Sequence, residues 1–139
     1  MSERTSIVPV GKVPALGDVP EKMHAFVIRP ERFGEPKKSF VQEEMPVWKA
    51  GPGEVLVQVM AAGVNFNGIW AGLGEPVNIL KAHGLDFHIA GSDASGVVWS
   101  IGEGVTGWKV GDEVVVHCNH LVEPGASEIG RASCRERVS

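Results

Sequence analysis

The chain has 139 residues, 43% of them hydrophobic and 22% charged, with 18 glycines and a formal net charge of −4. That is enough chain for one modest domain with its own core, but not for two. The dispersed negative charge excludes a basic nucleic-acid surface, no apolar run reaches the ~18 residues of a membrane span, and the first twenty residues lack the apolar core of a secretory signal, so a cytoplasmic protein is expected.

Residues 1–22 carry Pro9, Pro14 and Pro20 among small and polar residues, which predicts an extended arm on the surface or on a partner. Met23 to Arg29 reads as a first strand, stopped by Pro30, and Glu31 to Lys38 as a charged turn around Gly34 and Pro36. Ser39 to Val47 alternates loosely, as a half-exposed strand does. A turn at Lys49 to Gly53 then leads into one long apolar strand, which Glu54 opens and which runs into a polar turn at Asn65. Its side chains alternate, with Val55, Val57 and Val59 on one face and Leu56 and Met60 flanking Gln58 on the other. Both faces are mostly apolar, which predicts a strand well covered in the fold.

The strand ends in the polar turn Asn65-Phe66-Asn67-Gly68, followed by a short helical turn at 68–73, with Asn67 as its expected N-cap and Gly74 closing it. Residues 75–87 show no clean period and predict a loop with one helical turn at most. His88 to Gly96 leads into the strand Val97 to Ile101. Gly102-Glu103-Gly104 and Trp108 to Asp112 are turns, and Glu113 to Cys118 is a last strand. Short strands at about ten-residue spacing indicate a mainly β domain, either a sandwich or a partly open barrel.

Few residues here carry chemistry. Gly102-Glu103-Gly104 lacks the following helix of a dinucleotide fingerprint and reads as a turn. His117-Cys118-Asn119-His120 would need His83 or His88 to complete a metal site, and His117 and Cys118 point to opposite faces of a strand, so a packing role is expected instead. Asp93, in a run of small residues, reads as a turn former, with an orienting role as the alternative. Asn65 and Asn67 are the better candidates. They emerge where a strand ends, and a carboxamide both donates and accepts without titrating.

The order GPGEVLVQVMAAGVN followed by AGSDASGVVWSIGEGVTGWKVGDEVVVHC resembles the N-terminal catalytic half of the medium-chain dehydrogenase/reductases, whose fold is GroES-like. Zinc members of that superfamily carry Cys where Asn65 stands and a His-Glu pair where Ser92-Asp93 stand. The resemblance therefore implies a chain without catalytic zinc. AAGVNFNGIWAGLGEPV, with HIAGSDASGVVW and GDEVVVHCN, is similar to the crotonyl-CoA carboxylase/reductase group over about residues 23–119. That likeness implies NADPH-dependent reductive carboxylation of crotonyl-CoA to ethylmalonyl-CoA. An acyl-CoA and CO2 would be the partners, and the whole enzyme a homo-oligomer.

By motif position, Asn67 becomes the CO2-positioning residue. Asn65 would belong to the nicotinamide-side wall and Trp70 to the substrate pocket. The alternatives are a zinc-independent quinone or enoyl reductase of the same superfamily, or a non-catalytic GroES-like interaction module.

The expected organisation is an arm at 1–22, an incomplete GroES-like catalytic domain at 23–127, and a tail at 128–139. The tail back-translates to something like a short-read sequencing adapter and is set aside as an artefact. The NADPH-binding Rossmann domain is expected to lie outside this sequence, so the chain alone is expected to be inactive.

Overall fold

The computed structural model describes residues 5–116. Six strands occur there: β1 (Lys22–Ile28), β2 (Val41–Pro46), β3 (Val55–Ala61), β4 (His88–Ile89), β5 (Ala94–Ile101) and β6 (Glu113–Val116). They form two three-stranded antiparallel sheets, ordered β2-β1-β4 and β3-β5-β6. Three short helices accompany them: α1 (Pro36–Ser39), α2 (Phe66–Leu73) and α3 (Ile79–His83). The domain is mainly β and, among the described residues, open rather than closed into a barrel, as the sequence predicts. No helix among them is long and apolar enough to cross a membrane.

In the first sheet β1 is central. It alternates exposed and half-buried residues up to Phe26, then buries Val27 and Ile28 completely where β4 joins β2 in flanking it. Pro30, which lacks an N–H for the ladder, ends it. The segment expected as a plain charged turn instead winds into a 3-10 turn (Pro30–Arg32) and the single turn of α1. Both open on a proline, whose fixed φ suits a first helical position. Ser39 then holds them in place. Fully buried, its Oγ lies 2.5 Å from Arg32 O, 3.0 Å from Glu35 O and 2.7 Å from Gly72 O of α2. Charges fasten the same region: Glu43 on β2 takes two hydrogen bonds from Arg29 Nε and one from Arg29 NH2, while Arg32 NH2 reaches its other oxygen at 2.6 Å.

The second sheet is held differently. Val55, Val98 and Val114, one from each strand, form a buried cluster backed by Val57, Val105 and Trp108. The β3–β5 ladder skips a residue at Trp99 and another at Met60, as β-bulges do. Val98 and Trp99 are both buried, Val98 in the cluster and Trp99 against the arm, where its Nε1 donates to Asp18 O at 2.9 Å. The arm forms no helix in its described part and bridges β1 once, at Ile7 and Lys22.

One expectation about β3 is corrected. Val55 is buried and Leu56 to Gln58 are half-covered, but Val59 and Met60 are 47% and 58% exposed. The strand is covered at its start and open at the end that leads to Asn65. β3 has a ladder partner only in β5 among the described residues, and the bulge at Met60 breaks its alternation just where cover stops.

Candidate active site

The open end of β3 delivers the chain to Asn65, and the cap of α2 is the second correction. The helix starts at Phe66, with Asn65 rather than Asn67 as N-cap. Asn65 is extended (φ −126°, ψ 167°), and its Oδ1 accepts from Asn67 N at 2.9 Å, satisfying one of the N–H groups that a first turn leaves unpaired. Gly68 N donates to Asn65 O at 3.2 Å. At the other end Gly74 turns left-handed (φ 73°), and its N–H bonds to Trp70 O and Ala71 O, so glycine is required there.

Asn65 also reaches across to the segment before β5. Its Nδ2 donates to Ser92 Oγ and to Asp93 Oδ2, both at 2.9 Å. These partners fix which way the amide faces. Asn67 N–H must find an oxygen and the Asp93 carboxylate must find a donor, so Oδ1 points into the helix and Nδ2 away from it. Both Nδ2 hydrogens are then used. The carboxamide that resembles a zinc-cysteine position thus joins the two residues that resemble the His-Glu pair. It turns N–H groups into that cluster, where a cation would need lone pairs, so these residues do not fit a zinc ion. Among the described residues no three His, Cys, Asp or Glu side chains stand together as metal ligands. The His117-Cys118 segment lies outside the described residues.

Asn67 sits exposed in the first turn of α2, its N–H held by Asn65 Oδ1. One turn on, Trp70 is 46% exposed and packs edge-on against Phe66, with ring centroids 5.4 Å apart at 79°. Val64, directly before the cap, is fully exposed. Exposed apolar groups thus stand beside a free carboxamide. The helix is anchored at both ends, by Asn65 to the β5 side and by Gly72 O to Ser39 and to Gly34 N. Gly72 lets α1 come close, since a Cβ there would lie 3.1 Å from the Phe40 ring.

The structure brings Asn65 together with the backbone of Asn67 and sets Trp70 on the same helix. The contact that sequence reasoning missed is the pairing of Asn65 with Ser92 and Asp93. Its signal lay in the resemblance, where Asn65 and Ser92-Asp93 occupy positions that converge on one ion in zinc members. His83 lies in α3 and His88 in β4, apart from this cluster in the chain's order.

Residues 51–136 match the model of the alcohol dehydrogenase GroES-like domain family. A crotonyl-CoA carboxylase/reductase of Cereibacter sphaeroides is 53% identical over 116 residues, covering 84% of this chain and 27% of that protein. A solved crotonyl-CoA carboxylase/reductase superposes with a TM-score of 0.78 at 56% identity, again over 84% of this chain and 27% of that one. A 2-octenoyl-CoA carboxylase reductase, solved with NADP and 2-octenoyl-CoA, gives 0.65 at 34% identity over 71% of this chain and 27% of its own. The chain spans about a quarter of the length of these relatives.

Proposed function

This chain belongs to the alcohol dehydrogenase GroES-like domain family, and from that premise we propose that it forms the substrate-side domain of an NADPH-dependent enoyl-CoA reductase. Its reaction is the reductive carboxylation of crotonyl-CoA to ethylmalonyl-CoA. The observation that carries this reading is the exposed Asn67 carboxamide, held at the head of α2 beside Trp70, in a chain whose relatives are named as carboxylase/reductases of enoyl-CoA.

An enoyl thioester is already conjugated, so it needs less Lewis-acid help than a plain carbonyl does. NADPH supplies a hydride to the β-carbon. The electron pair of the double bond then rests on the enolate, whose α-carbon forms the new bond to the carbon of CO2. The charge ends on the carboxylate.

Asn67 serves the second bond. Its N–H groups hold one oxygen of a neutral, linear molecule and stabilise the negative charge that develops there, which is preorganised electrostatics. Trp70 lines the pocket with apolar surface that excludes water from the enolate, since a proton in place of CO2 gives the merely reduced product. Asn65 has no free donor, so it contributes contact surface to the nicotinamide side rather than a new hydrogen bond. The described residues suit that end of the cofactor only. They include no strand–glycine turn–helix unit for the pyrophosphate, which would belong to a separate Rossmann domain.

The test uses the complete product of the reading frame with crotonyl-CoA and NADPH, with and without bicarbonate. Carboxylated product is expected. Bicarbonate-independent reduction alone would overturn the reading in favour of a simple enoyl reductase. Asn67→Ala is expected to lower carboxylation relative to reduction by about a hundredfold, the loss typical of one oxyanion donor. An unchanged ratio removes Asn67 from the role.

A further inference from the structure

We infer that Asp93 and Ser92 are positioning residues which, acting through Asn65, set the direction in which the Asn67 carboxamide leaves the first turn of α2. This rests on the role given to Asn67 above, but its geometry stands apart from that role. A planar amide held at three points has no rotation left. Nδ2 is tied to Ser92 Oγ and Asp93 Oδ2, and Oδ1 to Asn67 N, all at 2.9 Å. The first two partners lie 27 and 28 residues away in the chain, just before β5. The head of α2 is therefore oriented by the segment before β5 as well as by its own cap. Displacing the carboxylate would turn the amide, and turning the amide would shift the Asn67 backbone N–H and with it the adjoining Cα that carries the side chain.

Gly63 gives independent support. A Cβ placed there would lie 2.9 Å from Asp93 Oδ2. The carboxylate thus occupies the space a side chain at 63 would fill, and it packs against the chain that leads into Asn65. Its charge makes the bond from Asn65 a strong one.

The cap and the orienting contact can be separated by substitution. Asn65→Asp keeps an oxygen able to cap, since Asp caps as well as Asn, but its second oxygen faces the Asp93 carboxylate, and the repulsion turns the group away from Asn67 N. In the double variant Asn65→Asp/Asp93→Asn the bond returns with donor and acceptor exchanged. Gly63→Ala leaves both residues in place and pushes only the Asp93 carboxylate, a side-chain end that can yield without moving the backbone. Asp93→Asn keeps a carbonyl acceptor and serves as the conservative variant.

The complete reading-frame products are compared for the partition between carboxylated and reduced product and for hydrogen exchange of the Asn67 backbone amide. Asn65→Asp is expected to raise the reduced share by about tenfold, less than the ~100-fold that a full 1 Å misplacement of a reacting group can cost. It should also speed exchange at Asn67. Gly63→Ala should move both readouts in the same direction, Asp93→Asn should move them less than Asn65→Asp does, and the double variant should recover most of the loss.

Wild-type exchange at Asn67 in both Asn65→Asp and Gly63→Ala would overturn the inference whatever the chemistry, as would a double variant no better than Asn65→Asp alone. If Asn65→Asp does not fold, Gly63→Ala decides. A wild type that reduces but never carboxylates overturns the assignment of CO2 to Asn67, and the exchange readout still judges the pair.

Discussion

The two sheets solve the same problem by different means. In β3-β5-β6 the contacts are apolar and close: Val55, Val98 and Val114 pack together, and backbones approach so nearly that glycine is required at Gly96 and Gly102. Around β2-β1-β4 the fastening is polar and directional. Ser39 lies among three carbonyls, and Glu43 is gripped by Arg29 and Arg32. Helix α2 hangs between them, its head tied to the residues before β5 and its tail tied to α1. Removing packing and removing polar partners should therefore damage the molecule in distinguishable ways.

The harshest test of the close-packed side is Gly102→Ala. A Cβ there would fall 1.8 Å from Gly51 O, a backbone atom that no rotamer change can move aside. Gly102 N also donates to Glu54 O at 2.8 Å, at the entrance to β3, so the two segments cannot separate without losing the ladder. The cost should exceed about 4 kcal/mol, enough to unfold a marginal domain. Loss of a cooperative thermal transition by circular dichroism is expected. A melting point near that of wild type would show that the approach is not as close as described.

Ser39→Ala probes the polar side with a smaller expected effect. One hydroxyl hydrogen is shared among Arg32 O, Glu35 O and Gly72 O; in alanine Glu35 O keeps the N–H groups of Lys38 and Ser39 and Gly72 O keeps Gly34 N, so the loss falls mainly on Arg32 O. One largely buried acceptor left without this donor costs about 1–3 kcal/mol. The protein should still fold, with a lowered melting point and faster hydrogen exchange at the tail of α2. Faster exchange confined to α1 would mean that Gly72 is held by Gly34 N and the Phe40 contact instead.

The two kinds of fastening also explain what could be read from the sequence. The apolar sheet was legible: the Val-rich runs at 55–61 and 97–101, with glycine turns between, give strands because their pattern and their packing agree. The cap was not. Asn65 and Asn67 have the same capping chemistry, and what selects Asn65 is its bonding to Ser92 and Asp93, which no local pattern encodes. The short α1 was hidden for a like reason, since a PKKS turn has little helical preference of its own and is held by Gly72, 33 residues on from Ser39. Cover at the end of β3 was over-read because Val59 and Met60 look buried by composition, yet they face outward beside the site. Asn67, Asn65 and Trp70 were legible as candidates through resemblance, while their geometry depended on long-range contacts.

The mildest expected effect separates the two sheets by pH. Hydrogen bonds from Arg29, then Arg32, hold the Glu43 carboxyl down at about 2, against an ordinary value near 4.5. A carboxylate lowered in the folded state stabilises fully above the unfolded value. That contribution fades as pH falls from about 4.5 towards 2, because the unfolded chain takes up the proton first. The apolar cluster of the other sheet has no such dependence. Asp112, before β6, is also held low, by the side chain and backbone N–H of Lys109, but it titrates equally in wild type and in a Glu43 variant and sets a shared background. Glu43→Gln should therefore melt lower than wild type at pH 7, and the gap should narrow steadily between pH 5 and pH 2. Melting points that fall in parallel over that range would show that the Arg29–Glu43–Arg32 contacts do not stabilise the fold. No gap at pH 7 would place the Glu43 carboxyl near its ordinary value and loosen the polar fastening that distinguishes this sheet from its neighbour.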